Sequence, residues 1–236
     1  MARSRATGGN GWTAGGEARR LRGRRDPDHL VPVIIAAILL AATLSVIATQ
    51  APRQAQAQGS TVKFLSGCAN ITSPGYYELS ADVSGEQGAG YCIGIFSSNV
   101  VLDANGHSME GGGSGIGIYV ADSVENVTIK NLGGMEGYSY GVFINSSRNI
   151  KITYDTLSAS KVSLYIYKSN NISVAYSSVE SSGSGYALYI YKSNNISVAY
   201  SSVESSGSGY ALYIYKSNNI SVAYSSVESS GSGYAL

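Results

Sequence analysis

The 236-residue chain is poor in the groups on which most site chemistry depends. It has two histidines and two cysteines, with no Cys-x-x-Cys pair and no histidine near a cysteine. That leaves no recognisable metal-ligand spacing, so neither a metal nor another cofactor is expected. Basic charge is missing where a nucleic-acid binder would need it. Residues 1–57 carry eight arginines against Glu17, Asp26 and Asp28, net +5, whereas residues 58–236 carry eight basic and twelve acidic groups, net −4; the whole-chain value of +1 hides this split. The larger part offers no patch for nucleic acid. Helical periodicity is also absent after residue 57.

The N-terminal part has a different character. Residues 1–29 are basic, with Arg19, Arg20, Arg22, Arg24 and Arg25 just before an uncharged apolar run of 19 residues from Leu30 to Ala48. That length matches a membrane-spanning helix of about 20 residues and exceeds the usual signal-peptide core. Ala55-Gln56-Ala57 has the small-x-small form of a cleavage site, and Pro52 ends any helix before it, which favours cleavage after Ala57. Residues 30–57 are thus a signal peptide or a membrane anchor, and membrane contact is confined to residues 30–48 if the segment is retained. In either case the arginines stay inside and the remainder is exported, to a secreted or cell-surface location.

Cys68 and Cys92 both lie in the exported part, 24 residues apart. A disulfide is the simplest use of an even pair in an oxidising compartment, worth about 3 kcal/mol for a loop of this length. It would close an N-terminal cap over residues 58–91. A cap is needed there because a solenoid end exposes apolar side chains and strand edges.

The stretch "YIYKSNNISVAYSSVESSGSGYAL" occupies residues 165–188, 189–212 and 213–236 without a substitution. Exact repetition means that every copy meets an equivalent environment, as in a stacked solenoid. Within it Leu188 and Ile190, then Ile196 and Val198, alternate with other residues, and Val203 stands in a third short stretch. Period two predicts strands, and Lys-Ser-Asn-Asn, Tyr-Ser-Ser and Ser-Ser-Gly-Ser-Gly are turn chemistry. Three strands and three turns make one triangular coil of about 24 residues, and coils stack with strands about 4.8 Å apart.

The same frame continues upstream. "IGIFSSNVVL", "GIYVADSVENVTI", "GVFINSSRNIKI" and "SLYIYKSNNISV" put the first inward residue at Ile93, Ile118, Val142 and Leu164, followed by Leu188 and Leu212, in steps of 25, 24, 22, 24 and 24 residues. An asparagine precedes the second strand of each coil: Asn99, Asn126, Asn149, Asn171, Asn195 and Asn219. Stacked amides can hydrogen-bond from coil to coil, and asparagine tolerates a left-handed turn. Asn126, Asn171, Asn195 and Asn219 also begin glycosylation sequons, but an amide engaged in a ladder is a poor acceptor; Asn70 and Asn145 lie outside the ladder and are the better candidates.

From Cys68 onward the chain resembles the PbH1-type right-handed parallel β-helix proteins, in exported archaeal and bacterial forms that include NosD-like and pectate-lyase-like members. The residues that carry the likeness are "CANITSPGYYELSADVSGEQGAGYCIGI" (68–95), "VLDANGHSMEG" (101–111) and the G-[IV]-x-[VI]…N-[IV]-x-[IV] coils. The resemblance implies an all-β fold, with residues 92–236 forming the parallel β-helix, and an exported location. It says little about function.

Candidate chemistry is sparse. Asp103 and His107 in "LDANGH" invite an acid–base pair, yet in this resemblance the stretch is a common turn. Asp122, Glu125, Arg148 and Asp155 fall in different coils, so the convergent acidic cluster of a polysaccharide lyase or hydrolase is not apparent, and no catalytic residue is assigned. Glu180, Glu204 and Glu228 form one column and Lys168, Lys192 and Lys216 another; like charges one coil apart splay into water or take a cation, with calcium the candidate in the glutamate column.

Aromatic residues are more informative. Tyrosines number 19 against three phenylalanines, and twelve of them fall in the three repeats. If Leu188 and Ile190 face inward, alternation puts Tyr119, Phe143, Tyr165, Tyr189 and Tyr213 in one outward column and Tyr167, Tyr191 and Tyr215 in a second. Tyr176, Tyr200 and Tyr224 are expected to point inward or into a turn. Such a grid can bind glycan or surface polysaccharide, pair with another copy of itself, or simply cover the sheet. The expectation is a non-enzymatic structural or adhesive surface module that contacts glycans through the tyrosine face, with a carbohydrate-active enzyme as the alternative. Leu236 falls where the next coil would begin, so the sequence is expected to be a fragment of a longer repeat protein or a protomer that stacks end to end.

Overall fold

A computed structural model describes residues 61–236. The basic segment, the apolar run and the Ala57 cleavage position lie outside the described residues. What is described is an all-β parallel solenoid of about seven turns with roughly 24 residues per coil.

Three faces make up the prism. The first is a seven-stranded sheet of Ala69–Ile71, Tyr91–Ile95, Ile116–Val120, Tyr140–Asn145, Val162–Tyr167, Tyr186–Tyr191 and Leu212–Tyr215. The second is an eight-stranded sheet that starts at Lys63–Leu65 and ends with Asn170–Ala175, Asn194–Ala199 and Asn218–Ala223. The third is carried by a three-stranded and a four-stranded sheet, the latter formed by Thr156–Ala159, Ser178–Ser181, Ser202–Ser205 and Ser226–Ser229.

Register is set by burial of alternate side chains. A slip of one residue would turn every apolar group to solvent, so pairing is strongly specified. Ile93 pairs with Ile118, Ile118 with Val142, Val142 with Leu164, Leu164 with Leu188 and Leu188 with Leu212. All six are at most 2% exposed, as are Ile196, Val198 and Val203 from the other two faces. The short step of 22 residues has a local cause. Between Thr156–Ala159 and Val162–Tyr167 the chain turns in two residues, where the corresponding turn after Ser178–Ser181 uses four.

That longer turn depends on glycine. A Cβ on Gly209 would sit 1.5 Å from the carbonyl oxygen of Gly185 in the preceding coil, so coils can close to strand spacing there only without a side chain.

The other corners are held by ladders. Asn126 Nδ2 donates to Asn99 Oδ1 at 3.1 Å, and the pattern continues through Asn149, Asn171, Asn195 and Asn219 at 3.2, 2.6, 3.0 and 2.9 Å. These asparagines have φ between 53° and 59°, the left-handed region that asparagine enters at low cost. Inside the same corner the N–H of Ser169 donates to Ser193 Oγ and that of Ser193 to Ser217 Oγ, both at 3.0 Å. Backbone groups that no strand satisfies are thus paired within the core, as burial requires. Cys68 and Cys92 form a disulfide with a Cα separation of 4.5 Å, joining the first two coils of the first sheet.

Candidate functional site

The outward side of the first sheet is almost wholly aromatic. Tyr119, Phe143, Tyr165, Tyr189 and Tyr213 are register partners, with successive ring centroids 5.7, 4.8, 4.9 and 5.2 Å apart. Upstream the register partner of Tyr119 is Gly94, and the ring of Tyr91, whose own partner is Ile116, leans over to stack 5.7 Å from that of Tyr119. Beside this column Tyr167, Tyr191 and Tyr215 stack at 5.4 and 5.6 Å.

A third column was not anticipated from alternation. Tyr186 stands two residues before Leu188 and should share its inward face, yet its ring lies 5.1 Å from that of Tyr189 on the outside. The cause is a break in the period at the start of the strand, where Ala187 and Leu188 are both fully buried and Tyr186 is thrown outward. Tyr140, Tyr210 and Tyr234 belong to the same column.

The stacking decides what the surface offers. Tyr165 lies against Phe143 and Tyr189 at interplanar angles of 12° and 9°, so neighbours in the column cover its two faces. Ring edges and phenolic hydroxyls are what remain for a ligand, and the edge of an aromatic ring is its positive part. Burial among other rings pushes the Tyr165 phenol up to about 12, so it stays a hydrogen-bond donor across the physiological range.

Where the first sheet turns into the second, each repeat places a lysine. Lys168, Lys192 and Lys216 have φ of 50°, 50° and 52°, and each ammonium lies 5.0–5.1 Å from the ring centroid of the tyrosine before it. Among the described residues no carboxylate comes within 4.0 Å of any of the three. A groove continues this edge upstream, lined by Ser123, Glu125, Ser146, Arg148, Lys168 and Asn170. In it Arg148 Nη2 bonds Glu125 Oε1.

Acidic groups collect elsewhere. Glu180, Glu204 and Glu228 pair in register on the third face, and Glu110 pairs with Glu136 earlier on that face. The repeat glutamates accept from Ser178, Ser202 and Ser226 Oγ at 2.7, 2.5 and 2.6 Å. Among the described residues no group of three acidic, histidine or cysteine side chains is placed to hold a metal ion.

Asp103 and His107 are not brought together. Asp103 takes Lys130 Nζ at 2.7 Å, the Tyr76 hydroxyl, Asn131 Nδ2 at 2.9 Å and the Asn105 N–H at 2.9 Å. Desolvation acts upward on its carboxyl, but these partners outweigh it and hold the group well below the usual carboxylate range. His107 Nδ1 instead meets Asp82 at 3.3 Å. Asp155 is 2% exposed, while Asp122 is exposed. Tyr176, Tyr200 and Tyr224 occupy a turn, as expected, but point outward, 50–80% exposed. With Tyr154 they form a ridge of rings 5.0–5.1 Å apart. Their φ of 51–60° turns the side chain away from the core, which a sequence pattern does not reveal. Asn70 is exposed, and Asn145 Nδ2 donates to the Tyr119 hydroxyl at 3.0 Å.

Residues 71–236 match the family model described as periplasmic copper-binding protein (NosD). No curated protein and no solved structure matches the chain. The matched residues do not fit copper. Copper sites draw on imidazole, thiolate and thioether. Here Cys92 is oxidised, His107 is the one histidine and faces Asp82, and Met109 and Met135 are 0% and 2% exposed, paired with each other inside the core.

Proposed function

The chain belongs to the NosD family of parallel β-solenoids, and on that footing we propose that it is a non-enzymatic extracytoplasmic module that binds glycan along its aromatic sheet. The observation that supports this most is the unbroken run of rings from Tyr91 to Tyr234 on one face, with hydroxyls and edges outward. A polysaccharide lying along the axis meets a phenol at every coil, and a hydroxyl-rich polymer is what a row of phenols can bond repeatedly. The acidic side chains support a binding role over hydrolysis or lyase chemistry: Asp103 is neutralised by Lys130, and the glutamate column stands on a different face.

Binding to a panel of insoluble and soluble polysaccharides by residues 58–236 tests the reading. Replacing Tyr167, Tyr189, Tyr191 and Tyr213 by phenylalanine keeps the stack and removes four hydroxyls. At about 1 kcal/mol for a neutral hydrogen bond, two or more engaged phenols make affinity fall by roughly tenfold or more, with the melting temperature unchanged. Absence of saturable binding across the panel, or release of reducing or unsaturated sugars from it, would overturn the proposal.

A further inference from the structure

The lysine column is unfavourable in the free protein on two separate counts. A left-handed φ is costly for lysine, where asparagine or glycine is cheap. The corresponding corner is held by Ser123 and Ser146 in the two coils before the repeats. Stacking then puts three lysines on successive coils, whose backbones are about 4.8 Å apart, and their like charges repel. Among the described residues no carboxylate lies within 4.0 Å to relieve them, since the glutamates of the same repeats are on the third face. Each ammonium is held over a ring of the aromatic sheet, which fixes the positive row along the border of that sheet instead of letting it disperse.

Three kinds of electropositive group therefore line one edge with a common repeat: the ammonium, the phenolic O–H, and the outward ring edges of Tyr167, Tyr191 and Tyr215. All three favour oxygen anions. From this we infer that the edge is a binding site for a linear acidic polysaccharide, laid parallel to the solenoid axis with its carboxylates on Lys168, Lys192 and Lys216 and its hydroxyls on the tyrosines. The groove at Ser146, Arg148 and Asn170 continues the track toward the N-terminus. The inference rests on the glycan reading above and narrows it to one charge class. A single-stranded nucleic acid would offer anions too, but its bases need open ring faces to stack on, and in the interior of these columns neighbouring rings cover the faces.

The test compares residues 58–236 with two triple variants, Lys168→Asn/Lys192→Asn/Lys216→Asn and Lys168→Arg/Lys192→Arg/Lys216→Arg. Asparagine suits the left-handed corner, so the first variant keeps the fold. The probes are alginate with a carboxylate on every sugar, hyaluronan with one on every second sugar, a neutral β-glucan, and oligo(dT). Alginate is expected to bind the wild type more tightly than the neutral glucan does, with affinity that falls as salt rises. The asparagine variant should lose about tenfold for alginate and the arginine variant little. Ranking of hyaluronan against alginate reports the charge spacing that the column accepts, and either order supports the inference provided both exceed the glucan. Equal binding of glucan and alginate, unaffected by the asparagine variant, would overturn the acidic site and leave the glycan reading intact. Binding of no polysaccharide removes both, and oligo(dT) binding as tight as alginate overturns the site in favour of nucleic acid.

Discussion

The carboxylate of Asp155 accepts the backbone N–H of Leu132, one coil earlier, at 2.8 Å, and does so from a position 2% exposed. Burial pushes its pKa up to about 7, with the Asp103 charge adding to the rise, although the N–H groups of Leu132 and Thr153 act in the other direction. A folded-state pKa above the unfolded value means that the native state holds the proton longer. Stability from this group is therefore full below pH 4 and is lost as pH rises to about 7. Chemical denaturation should show a stability that falls by up to about 4 kcal/mol between pH 4 and 8. Asp155→Ser should flatten that fall, because Ser177 and Ser201 occupy the same corner in later coils. An unchanged slope in the variant would assign the dependence to another group.

Replacement of Ile196 by aspartate places an unpaired charge where the native side chain is 1% exposed. The cost is several kcal/mol. Because each coil contacts only its neighbours, damage should remain local at first. Limited proteolysis should cut between residues 186 and 223 while the first coils stay protected, and uniform resistance would contradict the burial assigned to this column.

Much of the fold was legible because alternation is enforced by burial. Ile93, Ile118, Val142, Leu164, Leu188 and Leu212 could be aligned from spacing alone, and they stack as one column. Where burial does not decide, the pattern is silent. Tyr186 escapes the alternation because Ala187 is small enough to turn inward with Leu188. Tyr176 points out because its backbone is left-handed, a conformation not written in residue type when the residue is tyrosine. The inner serine ladder was also missed: Ser169 and Ser193 look like ordinary turn residues, and only the coil-to-coil N–H···Oγ bond shows their use. The isolation of Asp103 from His107 follows from partners 25 to 28 residues away, which no local motif contains.

Cys68→Ser/Cys92→Ser should loosen the N-terminal coils selectively. The bond closes a loop of 24 residues, for which about 3 kcal/mol is expected. Hydrogen exchange is the suitable readout, since a solenoid does not unfold as one unit. Amides of Tyr91–Ile95 should exchange markedly faster in the variant, and those of Asn194–Ala199 should not change.

Copper provides a separate check on how far the family description extends to this chain. Titration of copper(II) into residues 58–236, followed by absorbance and calorimetry, should show no saturable site tighter than that of a histidine-free control, His107→Asn. The matched residues hold one histidine, and their sulfur atoms are buried or oxidised. A stoichiometric site that survives in that control would reveal donors of another kind.

The three repeats match not only in sequence but in the ladder bonds between coils, Asn195–Asn171 and Asn219–Asn195, and in the Ser202–Glu204 and Ser226–Glu228 contacts within a coil. A replication slip that adds or drops one repeat in the coding sequence therefore joins two surfaces that already fit. The product is longer or shorter by one coil and carries one tyrosine row, one lysine and one glutamate more or fewer. Length and ligand valence thus become heritable quantities that change in whole steps, open to rapid variation between lineages without passing through a misfolded intermediate.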